Sequence, residues 1–391
     1  MSTPSTAPLF EPVRVGDLTL QHRVAMAPLT RMRGDDNHVP SPHAAEYYAQ
    51  RASTPGTLLI SEATFIAERA GGYKGVPGIY SEAQIEAWKK ITDAVHAKGS
   101  FIYCQLWALG RTAIRAYLPA QYDVVSSGDI TLVGSIRNPS GTKPRPLTIK
   151  EIDEYVESYV QAARNALRAG FDGVEIHSAN GYLLDQFLQT NSNNRTDEYG
   201  GSVENRIRFT LRVAQAVSQA IGPEKTGLRL SPYERFQGMY MPESDLRPTF
   251  SAIIARLADL KLAYLHLTEP RVSGQLETRI DDAPGLPESL DWAAEIWRSS
   301  GNPIVLAGGY LPDTATKRVL AGKERGEEVI IAFGRYFISN PDLPERIRKG
   351  VAFTPYYRPT FYGADNGTKG YTDYPFANDV AAGRAITPSM L

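Results

Sequence analysis

Short apolar segments rich in β-branched residues alternate along the chain with longer segments whose apolar residues recur at helical spacing. Eight such apolar segments can be counted, a pattern typical of parallel strands joined by helices rather than of hairpins. Eight strand–helix units that close on themselves form a (β/α)8 barrel, so the sequence predicts an α/β fold of TIM-barrel type. The predicted strands begin at Arg23, Thr57, Ser100, Phe171, Thr226, Leu262, Asn302 and Glu328.

Two segments depart from a bare barrel. Residues 12–20 alternate apolar and polar side chains around Gly16 and Asp17, which predicts a small hairpin across the N-terminal mouth of the barrel. The segment 107–150, after the third predicted strand, is far longer than an ordinary loop and rich in turn-forming residues, so we expect it to cap the site. We expect one barrel domain over residues 1–391, with residues 1–8 disordered.

The composition of the chain excludes several classes of function. The 391 residues include 42 Lys and Arg against 43 Asp and Glu, which gives no electrostatic footprint for nucleic acid or an anionic membrane. The single cysteine, Cys104, excludes a disulfide framework, and we find neither a signal peptide nor a membrane-spanning run. The C-terminal Ser389-Met390-Leu391 lacks the basic middle residue of a peroxisomal address. We therefore expect a cytoplasmic monomer or homodimer that acts on a small molecule.

The residues that follow the predicted strands are the candidates for chemistry, because barrel enzymes carry their catalytic groups at the C-terminal strand ends. Each one alone could simply end a strand, but polar groups or glycines at seven of the eight ends favour an active site. These residues are Pro28, Thr30, Ala63, Gln105, Trp107, His177, Asn180, Tyr182, Arg229, Thr268, Gly308, Gly309, Gly334 and Arg335.

The ends of the seventh and eighth strands predict a phosphate site. Gly308, Gly309 and Gly334 offer backbone N–H groups that no Cβ obstructs, and the Arg335 guanidinium can bind a phosphate through two hydrogen bonds. Barrels often hold phosphate at this corner. The pattern fits either a phosphorylated substrate or the tail of flavin mononucleotide (FMN).

Several motifs resemble those of the old yellow enzyme family of flavin-dependent ene-reductases, over about residues 9–362. They are MAPLTRMR, QLWALGR, EIHSANGYLLDQFLQTNSNNRTDEYGGSVENRIRF, LRLSPY and GRYFISNPDL. The resemblance implies an FMN-containing barrel that reduces the C=C bond of α,β-unsaturated aldehydes and ketones with NADPH. It also implies a ping-pong mechanism, in which NADPH and the enal or enone use the same pocket in turn. No nucleotide-binding fingerprint of Rossmann type is present to hold NADPH separately.

The resemblance assigns the reacting groups to the EIHSANGYLL motif. His177 and Asn180 match the pair that binds the substrate carbonyl oxygen, where two fixed donors would stabilise the negative charge that develops. Tyr182 matches the acid that protonates the α-carbon. The competing interpretation is a histidine satisfied by a local turn and a tyrosine on the first turn of a helix.

The resemblance also assigns the groups that contact FMN. Thr30 would bond the flavin O4 edge, Gln105 the pyrimidine edge, and Arg229 would lie beside N1 and O2. Backbone contacts would come from Pro28 and Ala63, the phosphate would lie at Gly308, Gly309, Gly334 and Arg335, and aromatic walls would come from Trp107, Tyr310, Phe361 and Tyr362. His22 stands where the family usually has asparagine, and Ala63 where some members have glycine.

Three alternatives remain open. Some members of the family isomerise their substrate, although Tyr182 at the donor position favours reduction. A flavin-free sugar-phosphate lyase or aldolase is disfavoured because no lysine lies at a strand end to form a Schiff base. A non-catalytic pigment-binding protein would not need three aligned reactive side chains.

No metal is expected, because the remaining histidines have no ligand spacing.

Overall fold

The computed structural model of the protein describes residues 5–270, 289–363 and 367–381. The C-terminal tripeptide and residues 1–4 of the segment predicted to be disordered lie outside this range, whereas Ala7–Phe10 form a 3-10 turn with Leu9 buried. No helix in the described part of the chain combines the length and the apolar character needed to cross a membrane.

A closed parallel barrel of eight strands forms the body of the molecule, as predicted. Neighbours around the barrel follow the order β3, β4, β6, β9, β10, β11, β12, β13, and β13 pairs with β3 to close the ring. The eight strands are β3 Val24–Met26, β4 Leu58–Ile60, β6 Phe101–Trp107, β9 Gly173–His177, β10 Thr226–Leu230, β11 Tyr264–Thr268, β12 Ile304–Ala307 and β13 Val329–Phe333.

Helices surround the barrel, and most of them bury an apolar face in the same core cluster as the strands. Helices α2 and α3 begin with capping boxes, at Ser81 with Gln84 and at Thr148 with Glu151, which satisfy backbone N–H groups that a helix start leaves unpaired. The helices are α1 Ala44–Arg51, α2 Glu82–His96, α3 Ile149–Arg168, α4 Leu183–Leu188, α5 Val203–Ile221, α6 Glu243–Asp259, α7 Asp291–Trp297, α8 Pro312–Glu324, α9 Arg335–Ser339, α10 Leu343–Lys349 and α11 Ala377–Ala381.

The predicted hairpin consists of β1 Val13–Val15 and β2 Leu18–Leu20, which pair antiparallel around Gly16 and Asp17. Its apolar side chains pack in one cluster with the side chains of the barrel interior, including those of Tyr103 and Tyr264. Gly16 has a φ of +53°, and a Cβ there would lie 1.8 Å from the carbonyl oxygen of Glu224, just before β10 begins. The hairpin therefore closes the N-terminal mouth of the barrel, as predicted.

The predicted excursion after β6 crosses the opposite mouth. It contains 3-10 turns at Gly110–Thr112 and Arg115–Tyr117, and it is tied together by β7 Val125–Ser126 and β8 Arg145–Pro146, which pair in parallel. The short strand β5 Thr64–Phe65 extends the edge of β6 towards it. The hairpin thus closes one end of the barrel, and the excursion borders the space at the C-terminal strand ends through Trp107 and Arg137.

Candidate active site

A cavity of about 630 Å³ opens above the C-terminal ends of the strands. This volume is typical of a site for a cofactor or small ligand. The candidate residues predicted from the sequence all border it, and they are Pro28, Thr30, Ala63, Gln105, Trp107, His177, Asn180, Tyr182, Arg229, Gly308, Gly309, Gly334, Arg335 and Tyr362. Thr268, Tyr310 and Phe361 border it as well. The structure therefore brings the predicted strand ends together in one place.

The EIHSANGYLL motif changes from strand to helix within five residues. His177 ends β9, Tyr182 immediately precedes α4, and the turn between them contains Asn180 with a φ of +57°. Asparagine tolerates this left-handed conformation better than most residues. Gly181 follows with a φ of +77°, and a Cβ there would lie 2.6 Å from the Cβ of Gln237. The motif therefore needs asparagine and glycine where it has them, and the sharp turn directs three polar side chains into one cavity.

Three rings pack against each other on this side of the cavity. The Tyr182 ring meets the Trp107 ring edge to face with centroids 4.6 Å apart, and the His177 ring lies 5.2 Å from that of Tyr182. The rings of Trp107 and His177 stack at 6.2 Å. Aromatic packing of this kind restricts the rotation of each ring. The imidazole and the phenol are therefore held in fixed relative positions before any ligand enters.

Burial sets the protonation state of both reactive groups. It lowers the pKa of His177 well below its usual value, and the positive charge of Arg229 lowers that pKa further. Burial raises the pKa of Tyr182 well above its usual value, and the nearby phenols of Tyr73 and Tyr362 add to the effect. The imidazole is therefore neutral and the phenol is protonated at neutral pH. The Nδ1 atom of His177 is buried and has no hydrogen-bond partner among the described residues.

These pKa shifts predict a flat pH profile for the chemical step that uses Tyr182. From about pH 6 to about pH 9 neither His177 nor Tyr182 changes its charge, because the first pKa lies below this window and the second above it. Single-turnover oxidation of the reduced protein by an enone, measured across this range, should give a nearly constant rate. A sigmoidal rise or fall centred near pH 6.5 would show instead that His177 titrates.

Glu234 holds the Asn180 amide and was not anticipated from the sequence. The Nδ2 atom of Asn180 donates to Oε2 of Glu234 at 2.9 Å, while Oε1 of Glu234 accepts from the backbone N–H groups of Arg235 and Phe236. The backbone N–H of Asn180 donates to the hydroxyl of Ser231 at 2.8 Å. The loop after β10 thereby fixes both the backbone and the amide orientation of Asn180. The only available signal was the position of Glu234 a few residues after a strand end.

Gln105 and Arg229 form the floor of the cavity. Gln105 donates from Nε2 to a buried carboxylate, Glu175, at 2.7 Å, which fixes its amide. Arg229 donates to the hydroxyl of Thr268 at 3.1 Å, and its Nε is buried without a partner among the described residues. An unpaired buried donor is costly, so it points to a ligand that accepts a hydrogen bond. One amide and one cation on the same floor fit the pyrimidine edge of FMN.

The corner between β12 and α9 suits a phosphate. Gly308 and Gly309 have φ values of +128° and +66°, conformations that residues with a Cβ rarely adopt. Gly334 precedes α9, and the Arg335 guanidinium lies 5.5 Å from the centroid of the Tyr356 ring. Arg335 and all three glycines border the cavity. A glycine cradle beside a guanidinium fits the phosphate tail of FMN.

The capping excursion contributes a second group that sequence reasoning missed. The Arg137 guanidinium lies 4.7 Å from the centroid of the Tyr362 ring and 5.4 Å from that of Tyr73, and all three residues border the cavity. This places a cation at the mouth of the cavity, near the Tyr182 phenol. Only the turn-rich composition of the excursion marked this region, and composition does not specify which side chain points inward.

The two departures from the family pattern differ in position. Ala63 borders the cavity, whereas His22 lies apart from it and hydrogen-bonds the hydroxyl of Thr57 at 2.9 Å.

His96 pairs with Asp172 on the surface, and His266 pairs with Glu175 inside the barrel. Within the described ranges, no group of three His, Cys, Asp or Glu side chains could hold a metal ion.

Comparison with known proteins gives a consistent result. A family model described as the NADH:flavin oxidoreductase / NADH oxidase family matches residues 8–353. A chanoclavine-I aldehyde reductase of Penicillium roqueforti is 50% identical over 371 residues, which cover 94% of this chain and 96% of that protein. An NADP-dependent oxidoreductase of Aspergillus flavus is 50% identical over 373 residues, which cover 95% of this chain and 96% of that protein.

A solved structure shares the fold as well. Morphinone reductase superposes with a TM-score of 0.83 at 39% sequence identity, and the match covers 97% of this chain and 98% of that chain. The similarity therefore extends through the barrel, the hairpin and the capping excursion, and is not confined to the motifs around the cavity.

Proposed function

The chain belongs to the old yellow enzyme family of FMN-dependent NADH:flavin oxidoreductases, and we propose that it reduces the activated C=C bond of α,β-unsaturated aldehydes and ketones with NADPH. The observation that carries this proposal is the joint placement of His177, Asn180 and Tyr182 at one wall of a single cavity. The names of the relatives support NADPH as the source of the hydride and an aldehyde as the substrate, since they include an aldehyde reductase and an NADP-dependent oxidoreductase.

His177 and Asn180 bind the carbonyl oxygen of the substrate. The neutral imidazole and the amide that Glu234 holds each offer an N–H donor to the cavity. Negative charge accumulates on the carbonyl oxygen when the β-carbon accepts a hydride, so fixed donors there lower the barrier. One such donor contributes about 3 kcal/mol to stabilisation of the transition state in enzymes where it has been removed.

Tyr182 delivers the proton that completes the reduction. Its phenol is protonated at neutral pH, and the Trp107 and His177 rings hold it beside the carbonyl-binding pair. A phenol retains its proton until a strongly basic carbon, such as the α-carbon of an enolate, is presented to it. The proton therefore moves from the Tyr182 oxygen to the α-carbon of the substrate.

The residues of the floor and of the phosphate corner would hold the cofactor. Gln105, Arg229 and Thr30 would hold the flavin ring, and Gly308, Gly309, Gly334 and Arg335 would hold the phosphate. When bound, FMN supplies hydride transfer between NADPH and the alkene. The chain itself binds, orients and protonates the substrate and excludes water under the capping excursion.

Isomerisation of the substrate is the second candidate function, and the position of Tyr182 bears on it. Net reduction needs an acid at the α-carbon, and the structure provides a protonated phenol in the same cavity as the carbonyl-binding pair. The mass of the product decides between the two reactions, because reduction adds a pair of hydrogen atoms and isomerisation leaves the mass unchanged.

Steady-state kinetics test the proposed function directly. We expect the yellow purified protein to oxidise NADPH in the presence of an enal or enone, with initial-rate plots that form parallel lines, because both substrates must use the same cavity in turn. Anaerobic assays with enals, enones and maleimides keep oxygen from acting as the acceptor. Intersecting lines would contradict alternation in one pocket, and a colourless protein that does not bind added FMN would contradict the proposal as a whole.

A further inference from the structure

Glu175 is a carboxylate that the proposed chemistry does not use. It lies on β9, two residues before His177, and its side chain is 0% exposed inside the barrel. Removing a carboxylate from water is costly unless charged or polar partners compensate. A barrel interior filled by apolar side chains would avoid this cost. The presence of Glu175 immediately beneath the cavity therefore calls for a function.

Two hydrogen bonds connect Glu175 to neighbouring strands. Its Oε1 accepts from Nε2 of Gln105 at 2.7 Å, and its Oε2 accepts from Nδ1 of His266 at 2.8 Å. Gln105 on β6 pairs directly with Glu175 in the strand register. His266 on β11 pairs with Arg229 on β10, one level higher in the barrel. The carboxylate thus belongs to a polar group that extends up to the cavity floor.

Glu175 is ionised in this environment. Burial by itself would raise its pKa, but His266, Arg229 and Gln105 outweigh that effect and lower the pKa below its usual value. Burial lowers the pKa of His266, the negative charge of Glu175 opposes that effect, and the ring donates from Nδ1 to Glu175. The negative charge of Glu175 therefore acts on the positive charge of Arg229, and each partly offsets the other.

The hydrogen bond from Gln105 to Glu175 also fixes the amide of Gln105. A carboxylate only accepts hydrogen bonds, so the NH2 group of Gln105 must face Glu175. The amide oxygen and the second N–H of Gln105 remain for the cavity, which Gln105 borders. An amide in this orientation offers one acceptor and one donor side by side, which matches the N–H and C=O pair of an imide such as the flavin pyrimidine ring.

We propose that Glu175 is a positioning residue for FMN, which orients the amide of Gln105 and lowers the reduction potential of the cofactor by acting as the buried counter-charge of Arg229. The inference rests on the proposed function because it requires FMN to lie against Gln105 and Arg229. Reduced FMN carries more negative charge than oxidised FMN, so Arg229 stabilises the reduced form and Glu175 opposes it. A lower potential makes the reduced cofactor a stronger hydride donor to the alkene.

Glu175→Gln tests the proposal, because it removes the charge and changes the side-chain volume little. We expect the equilibrium constant for two-electron reduction of FMN to increase about tenfold when one buried charge is lost, which corresponds to a potential about 30 mV higher. The potential is measured anaerobically by equilibration of the FMN-loaded protein with a reference dye. We also expect weaker FMN binding, measured by recovery of flavin fluorescence on dilution, since a glutamine at position 175 no longer forces one orientation on Gln105.

The matched control is Glu327→Gln. Glu327 is another buried carboxylate, 6% exposed, but it precedes β13 at the opposite end of the barrel and pairs with Arg318 and Arg325. Its loss should alter the melting temperature without changing the potential. If Glu175→Gln fails to fold, the double variant with His266→Gln removes the same charge while the two amides can hydrogen-bond each other.

The outcomes separate this inference from the proposed function. A higher FMN potential in the Glu175 variant, with the Glu327 variant unchanged, supports the counter-charge role. A folded Glu175 variant that binds FMN at the wild-type potential overturns it, even if the melting temperature falls, because that result would describe a purely structural carboxylate. If the wild-type protein neither binds FMN nor oxidises NADPH, the proposed function fails before the variant is measured.

Discussion

Replacing Tyr182 with phenylalanine should slow the oxidation of the reduced protein by an enone about 10²- to 10⁴-fold, the contribution that a positioned general acid typically makes. Reduction of FMN by NADPH should remain nearly unchanged, because that half-reaction protonates no carbon. Stopped-flow absorbance of the flavin measures the two half-reactions separately. Phenylalanine retains the ring that packs against Trp107 and His177, so the change removes the acidic oxygen and little else.

The size of the effect follows from the surroundings of the phenol. The Trp107 and His177 rings enclose the Tyr182 ring, and Nδ1 of His177 lies buried without a described partner. His177 cannot replace the lost acid, because its pKa lies well below neutrality and the ring has no excess proton to give. Water and the neighbouring phenols of Tyr73 and Tyr362 are then the remaining proton sources.

A matched control separates this role from general loss of a buried hydroxyl. Tyr159 lies on α3 outside the barrel, is fully buried, and has a hydroxyl without a partner among the described residues. Tyr159→Phe should leave both half-reactions at the wild-type rate. If Tyr182→Phe slows both half-reactions equally, the donor role is wrong and the residue instead shapes the pocket.

The barrel was predictable from the sequence because its signals are local. Each strand is a short β-branched run, and helices such as α2, α3 and α5 show apolar residues at helical spacing with a cap residue at the start. The location of the site was predictable because a parallel barrel brings the C-terminal ends of all its strands to one face. His177 and Arg229 could therefore be placed in one site although 51 intervening residues separate them.

The partners of those residues were not predictable, because they depend on contacts between distant segments. Glu234 reaches Asn180 across 54 positions of sequence, and Arg137 meets Tyr362 only because the capping excursion folds over the mouth. The contacts of Glu175 could not be predicted for a different reason. It lies within a predicted strand, where alternation alone cannot show whether a charged side chain faces a helix or the barrel interior.

Replacing His177 with alanine should reduce the rate of enone reduction about 10²- to 10³-fold, the usual cost of losing one donor to a developing oxyanion. The same change should weaken the binding of phenols, whose phenolate oxygen imitates the enolate oxygen of the intermediate. Phenol titrations followed by the flavin absorbance spectrum measure this affinity without turnover. Because the ring of His177 also packs against Trp107 and Tyr182, part of the loss could come from altered packing.

Two further variants separate the effect of the His177 N–H donor from the effect of ring packing. His177→Asn retains an N–H donor on a smaller side chain and should recover part of the phenol affinity, whereas His177→Phe retains a ring without a donor and should not. His96→Ala removes a surface histidine paired with Asp172 and serves as the control for loss of an imidazole. Equal phenol affinity in the asparagine and phenylalanine variants would show that His177 does not bind the carbonyl oxygen. Asn180, whose amide Glu234 holds in place, would then be the remaining donor to the developing negative charge.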